Sequence, residues 1–175
     1  MQWAKALVGA AVVLLLLYLV LMIPTGTSLV PGTTTGDHRE NNVVALRGAA
    51  TEQLSTFLNQ NYNNAKASMD QLISGSTGTF HDKLVGSAVT QENATAQLRT
   101  RATGTVQKLS VTRLGGGNAT LLAVVTQTVT NTQTAKVKRT KTCAAGSVCN
   151  RYYLLLTYMS VGGQWKMSNL EYLPL

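Results

Sequence analysis

Between Ala6 and Gly36 the chain carries no charged residue, and residues 6–23 form an almost unbroken run of Leu, Val and Ala. At about 1.5 Å per residue, a helix of this length spans roughly 27 Å, close to the hydrocarbon thickness of a bilayer. Such a helix satisfies its own backbone polar groups, as a membrane requires. Lys5 and the amino terminus flank the run on one side, while Asp37, His38, Arg39 and Glu40 nearly cancel on the other. The positive-inside tendency therefore predicts a cytoplasmic N-terminus and an exported C-terminal part. A cleaved signal peptide is the competing reading. The run exceeds the usual apolar region of about 7–15 residues. No A-x-A pattern follows it, only Pro24-Thr25-Gly26-Thr27-Ser28. Both points favour a retained anchor, and with no cysteine near the run a lipoprotein anchor is excluded.

After the anchor, residues 25–36 are mainly Gly, Thr, Pro and Ser and read as a linker. The expected organisation is a cytoplasmic N-terminus and transmembrane helix over 1–24, a linker over 25–41 and an exported domain over 42–175. From Asn42 the period is helical: Val43, Leu46, Ala50, Leu54, Phe57 and Leu58 recur at three- and four-residue steps, with Arg47, Glu52 and Gln53 on other faces. The polar run 59–64 breaks this helix. A second helix is predicted over 65–73, with Met69, Leu72 and Ile73 as its apolar contacts. Ser74-Gly75-Ser76-Thr77-Gly78 stops it, and Thr77 or Thr79 is placed to cap a third helix over 79–89 that buries Phe80, Leu84 and Val85. Residues 91–99 read as a last helical piece.

Past Arg101 the period changes from helical to alternating. A strand over 103–114 meets the turn Gly115-Gly116-Gly117-Asn118. Residues 119–132 are the clearest strand, with Leu121, Ala123, Val125 and Val129 on one face and Leu122 and Val124 on the other. With apolar residues on both faces of its first half, this strand belongs in the middle of the sheet. A polar connection precedes a strand over 150–161 that holds Tyr152, Tyr153, Leu154, Leu155, Leu156 and Tyr158. Gly162-Gly163 makes a hairpin into a last strand over 164–172 with Trp165, Met167 and Leu170. Helices first and then four antiparallel strands predict an α+β roll, the helices packed on one face of a curved sheet.

Beyond the first 36 residues about 139 remain, enough for one compact domain. The net charge of +8 is concentrated, since Lys136, Lys138, Arg139 and Lys141 fall within six residues. Such a cluster suits phosphate head groups or an acidic partner, or serves only to keep a hairpin tip solvated. Nucleic acid is not expected as a partner, because no aromatic side chains interleave with these cations as a stacking platform needs. Cys143 and Cys149 enclose five residues in the same connection. In an exported domain this spacing reads as a small-loop disulfide; it is not CxxC, and no neighbouring His or Cys completes a zinc site.

The chain shows no P-loop, GxSxG, HExxH or paired-cysteine metal spacing. His81-Asp82 on the third helix, with Asp70 on the second, is the one arrangement that suggests a proton-transfer base. Adjacent helical residues diverge by about 100°, so His81 and Asp82 do not both face inward. No catalytic residue, cofactor or metal ligand is assigned. Asn93-Ala94-Thr95 and Asn118-Ala119-Thr120 match the N-glycosylation sequon.

One membrane span leads into a helical stretch ending in Gly78-Thr79-Phe80-His81-Asp82-Lys83-Leu84. The strand Ala119-Thr120-Leu121-Leu122-Ala123-Val124-Val125 follows, and Gly163-Gln164-Trp165-Lys166-Met167-Ser168-Asn169-Leu170 closes the chain. This layout resembles the Mce-associated membrane proteins of actinobacteria, whose exported part is similar to the nuclear-transport-factor-2-like (cystatin-like) roll. The resemblance implies a non-enzymatic accessory subunit supporting an Mce-type lipid-import complex, with membrane-protein partners and no catalysis. The cysteine loop is not a feature the family implies. The same anchor-plus-roll layout also looks like the bitopic assembly components of type IV secretion and conjugation machines. Rolls of this kind can hold a lipid between helices and sheet; here Phe57, Phe80, Leu84, Val125, Leu156 and Trp165 are the expected lining.

Overall fold

The computed structural model describes residues 36–174. The apolar run 6–23, its expected passage through a membrane and the linker up to residue 35 lie outside the described residues. Among the described residues no helix is long and apolar enough to cross a membrane.

Apolar residues four apart set the first helix. α1 spans Gly36–Leu58, and Leu46, Ala50, Leu54 and Leu58 form one stripe, each with no exposed surface. Residues four apart stack on a single helix face, so one side of α1 is committed to the core. The helix begins at Gly36, six residues before the apolar period does. Residues 40–42 are exposed there and nothing apolar in them announces the helix. Gln53, expected on the polar side, is 7% exposed. It stands three residues after Ala50 and four before Phe57, which places it on the core face.

After α1 come the two-residue strand β1 (Gln60–Asn61), α2 (Ala65–Ser74) and α3 (Gly78–Gln97). Thr77 occupies the N-cap position of α3 in extended backbone but makes no side-chain capping bond. α3 is continuous where two pieces were expected. Its sequence from Val89 to Gln97 contains neither Gly nor Pro, so nothing local interrupts the helical bonds. Val85 was expected to be buried on this helix and is 51% exposed; Leu84 takes the inward position.

β2 (Arg101–Gly115), β3 (Asn118–Thr130), β4 (Val148–Val161) and β5 (Gln164–Tyr172) follow. All pairings are antiparallel and the order is β1-β2-β3-β4-β5, so the sheet has five strands rather than four. β1 pairs only Gln60 with Ala102 and Asn61 with Arg101. A polar dipeptide has no alternation to read; its partner alone makes it a strand. Gly116 and Gly117 (φ 59° and 73°) turn β2 into β3, and Gly162 and Gly163 (φ 59° and 81°) turn β4 into β5. Both pairs of positive φ suit the tight hairpins expected at these sites. Register shifts at Val106/Lys108 and Val111/Arg113 interrupt the β2–β3 ladder, and bulges of this kind bend and coil a sheet.

The helices cover one face of this curved sheet. Ala119, Leu121, Ala123 and Val125 of β3, Leu154, Leu156 and Tyr158 of β4 and Met167 of β5 meet the α1 stripe in one buried cluster. β3 is central, as expected. Its other face is not sealed, however: Leu122 is 40% exposed. Met69, Leu72 and Leu84 form a second, smaller cluster between α2 and α3. α1 runs antiparallel to β2, with Arg47 Nη2 donating to Leu109 O at 3.4 Å near one end. Near the other end Leu58 lies over Gly104, where an added Cβ would come within 2.8 Å of Leu58 Cβ and 2.7 Å of Thr126 O. The last turn of α1 thus touches the sheet at a residue that has no side chain.

Candidate functional site

His81 is a fastening of the helix pair. Its Nδ1 lies 3.1 Å from Ile73 O and 3.2 Å from Ser76 Oγ, and Ser76 Oγ itself donates to Ile73 O at 2.7 Å. With Nδ1 assigned as the protonated nitrogen, the ring donates to the last turn of α2 and ties it to the first turn of α3. Asp82 is exposed. Asp70 accepts from Lys66 Nζ at 2.9 and 3.1 Å, one turn away on α2, and this pair raises the Lys66 ammonium above its ordinary value. His81 and Asp70 are thus each engaged in a local contact, while Asp82 lies at the surface.

The six residues expected to line a lipid cavity divide between the two apolar clusters. Val125 and Leu156 are fully buried in the large cluster, with Phe57, Phe80 and Trp165 packed against it. Leu84 belongs to the small cluster, which Phe57 and Phe80 also touch. A cleft of about 20 Å³ lies beside the small cluster, lined by Gln60, Ala65, Ser68, Met69, Leu72, Gln91, Glu92 and Thr95. That is room for about one water, and of the six expected residues none is in its lining.

The large cluster holds one buried polar junction that the hydropathy pattern does not reveal. Tyr158 Oη donates to Gln53 Oε1 at 3.1 Å, and Gln53 Nε2 reaches Leu72 O at 3.5 Å. An added Cβ at Gly75 would collide with Gln53 Nε2. α1, β4 and the end of α2 thus meet on one amide. Burial pushes the Tyr158 and Tyr172 hydroxyls well above their ordinary range, with the neighbouring Tyr152 adding to the effect at Tyr172. The Tyr152 and Tyr172 rings stand edge to face, centroids 5.4 Å apart. A Tyr amid Leu and Val on a strand was the available signal; its partner on α1 was not.

In the β3–β4 connection the expected bridge is formed: Cys143 and Cys149 are disulfide-bonded, their Cα atoms 5.6 Å apart. Cys149 lies within β4, so the bridge ties the loop to the strand itself. The loop is further framed by its own polar groups. Thr134 Oγ1 donates to Gly146 O (2.8 Å), Gly146 N–H to Val137 O (2.9 Å) and Ser147 Oγ to Ala144 O (2.7 Å). Asn131 Oδ1 accepts from the N–H groups of Gln133 and Thr134. On this frame Lys136, Lys138, Arg139 and Lys141 are all exposed. The arrangement presents cations on an ordered loop. It can attract an anion.

A family model described as uncharacterized protein Rv1363c/MT1408-like matches residues 5–174. Uncharacterized protein Rv1363c of Mycobacterium tuberculosis (strain ATCC 25618 / H37Rv) is 26% identical over 136 residues, which is 78% of this chain and 48% of that protein. The chain thus spans about half the length of this curated relative. Among solved structures, the Agrobacterium tumefaciens VirB8 protein is similar with a TM-score of 0.55 at 10% identity, over 83% of this chain and 98% of that one. CagV, a VirB8 homolog of the type IV secretion system from Helicobacter pylori strain 26695, is similar with a TM-score of 0.53 at 14% identity, over 77% of this chain and 98% of that one. At these identities the likeness is one of fold.

Proposed function

This chain belongs to the Rv1363c/MT1408-like family, and we propose that it is a non-enzymatic, membrane-anchored assembly module whose exported domain meets other subunits of a cell-envelope complex. The observation that carries the reading is the roll itself, which shares its fold with VirB8 and with the type IV secretion component CagV over nearly their whole chains. Three features support it. The apolar run 6–23 suits a retained anchor, with the N-terminus cytoplasmic. The Cys143–Cys149 bridge suits an oxidising compartment outside the cytoplasm. The polar side chains that suggested chemistry, His81 and Asp70, serve helix contacts.

The type IV secretion-like assembly role is preferred over the Mce-type lipid importer, because the solved structures named above that share this roll over most of both chains are VirB8 and its homolog CagV. The experiment that decides is affinity isolation of the full chain from native membranes in mild detergent, followed by mass spectrometry. Co-purification of membrane subunits of one assembly is the expected result. An Mce-type permease among them would redirect the assignment to lipid import, and recovery of the chain alone would overturn the assembly role.

A further inference from the structure

One end of the sheet gathers cations from two distant stretches of chain. β2 begins at Arg101, paired with Thr130 at the end of β3, and β4 begins at Val148, paired with Val129. Thr132 N–H donates to Leu98 O at 2.9 Å, which sets Arg99 against the start of the β3–β4 loop. Arg99 has φ 50°, and among the described residues it is the one non-glycine in the left-handed region. The Arg101 guanidinium stands 4.9 Å over the Tyr62 ring and donates to its hydroxyl at 3.3 Å. Arg99 and Arg101 therefore share an end of the sheet with Lys136, Lys138, Arg139 and Lys141, and all six are exposed. Residues 131–147 contain no carboxylate. Tyr62 reports the local field: its phenol is lowered by the hydrogen bond from Arg101, by the charge of Arg101 and by that of Arg99.

The opposite end of the sheet carries the Gly116-Gly117 and Gly162-Gly163 turns and the first turns of α1. The end-to-end length of α1 is about 33 Å, and its C-terminal turn lies at the basic end, where Gln127 Nε2 donates to Leu58 O at 2.9 Å. The cations are thus as far as the helix allows from the point where the chain enters the domain.

We infer that this basic end is a docking surface for a carboxylate-rich segment of another protein subunit. The inference rests on the assembly role proposed above and names the chemistry of one contact within it. Two observations favour a protein over a lipid surface. Loops that seat in a membrane interface insert aromatic or large aliphatic side chains, whereas residues 131–147 hold no aromatic residue and only Val137 as a large aliphatic one. The loop is also fixed before binding, by its disulfide, the Thr134–Gly146 bond and the Asn131 turn. Such preorganisation lowers the ordering cost of meeting a partner of fixed shape, a benefit that a fluid headgroup layer does not need.

The test places a photoreactive phenylalanine derivative at Val137 of the full chain in native membranes and maps its adducts. The expected adduct is an acidic segment of a co-purifying subunit. It should fall at least about tenfold when Lys136, Lys138, Arg139 and Lys141 are all replaced by Gln, because rim charges set encounter and register. Disulfide mapping of that variant checks that the loop still closes. Adducts dominated by lipid, or a protein adduct that the four substitutions leave unchanged, overturn the inference. So does binding of the purified chain to phosphatidylglycerol vesicles, but not phosphatidylcholine ones, in the absence of any protein adduct. If the Gln variant still recovers its assembly and the adduct is unchanged, the docking inference fails while the assembly role stands. If the unsubstituted chain recovers no subunit, both fall together.

Discussion

The α1 stripe and the β3–β4 loop are held by different physics. Leu46, Ala50, Leu54 and Leu58 are fixed by area: each is fully covered within the large apolar cluster and contributes because water has been removed. The loop has little area to offer. Thr134 and Ser147 are its buried residues, and both are polar; its shape comes from hydroxyl and carbonyl partners and one covalent bridge. A region stabilised by burial resists any change of volume, whereas one stabilised by a frame tolerates change in every side chain outside the frame. The functional consequence follows from that difference. The core keeps the roll, and the loop is free to carry four cations that no core would admit.

The largest expected effect breaks the area side of the comparison. Leu54→Ala removes a side chain with no exposed surface and leaves a cavity within the large apolar cluster. Such substitutions cost about 2–5 kcal/mol. A urea melt followed by circular dichroism should show that loss as a lower midpoint with an unchanged slope. A change under about 1 kcal/mol would mean that the α1 stripe is not the principal core contact.

Replacing both Cys143 and Cys149 by Ser tests the other side. The closed loop is short, so the chain-entropy cost released to the unfolded state is about 2 kcal/mol, smaller than the Leu54 effect. The location of the change is more telling than its size. Hydrogen exchange should accelerate in residues 131–147 and stay slow at Leu121, Val125 and Leu154. Uniform acceleration across β3 and β4 would show that the bridge supports the core as well as the loop.

Much of this comparison was legible in the sequence, for reasons that differ by residue. The four-residue spacing of Leu46 to Leu58 is a property of the chain itself, so a helix with one apolar face could be read directly. Gly162-Gly163 likewise announced its hairpin, and the spacing of Cys143 and Cys149 announced their bridge. The β1 pairing could not be read, because Gln60 and Asn61 become a strand only through Arg101 and Ala102, some forty residues on. Gln53 pointed inward against its polarity because Tyr158, far along the chain, supplies its hydrogen bond. The basic end was half visible. Lys136 to Lys141 are contiguous, but Arg99 and Arg101 join them only through the β2–β3 register and the Leu98–Thr132 bond.

A smaller effect separates polar from apolar contributions inside the core. Tyr158→Phe keeps the ring and deletes the hydroxyl that donates to Gln53 Oε1, leaving a buried acceptor unpaired at a cost of about 1–2 kcal/mol near neutral pH. The same variant has a pH signature. Burial raises the ionisation of Tyr158 and Tyr172 above the ordinary 10.0, so the folded state prefers the neutral phenol. In the unfolded chain each ionises near pH 10. The stability tied to the neutral form is complete below that pH and falls as pH rises beyond it, by up to about 1.4 kcal/mol per unit per tyrosine. Melts between pH 9 and pH 12 should therefore show a shallower alkaline loss for Tyr158→Phe. An identical slope would exclude Tyr158 as a contributor to that loss.

The smallest effect is expected where the charge is greatest. Replacing Lys136, Lys138, Arg139 and Lys141 by Gln removes four exposed cations whose neighbours within residues 131–147 include no carboxylate. The global unfolding free energy should move by less than about 0.5 kcal/mol for each exposed site, and toward greater stability, since like charges within a Debye length of about 8 Å repel. Salt discriminates this repulsion from a simple loss of contacts. In the unsubstituted chain, raising ionic strength should slow exchange in the loop by screening the cations from one another. In the Gln variant the salt dependence should vanish. The Cys143→Ser, Cys149→Ser chain should show the steepest salt dependence of the three, because without the bridge only hydrogen bonds oppose the repulsion. If salt instead speeds exchange in the unsubstituted loop, the cations are held by attractive partners, and the loop is not a frame bearing unpaired charge.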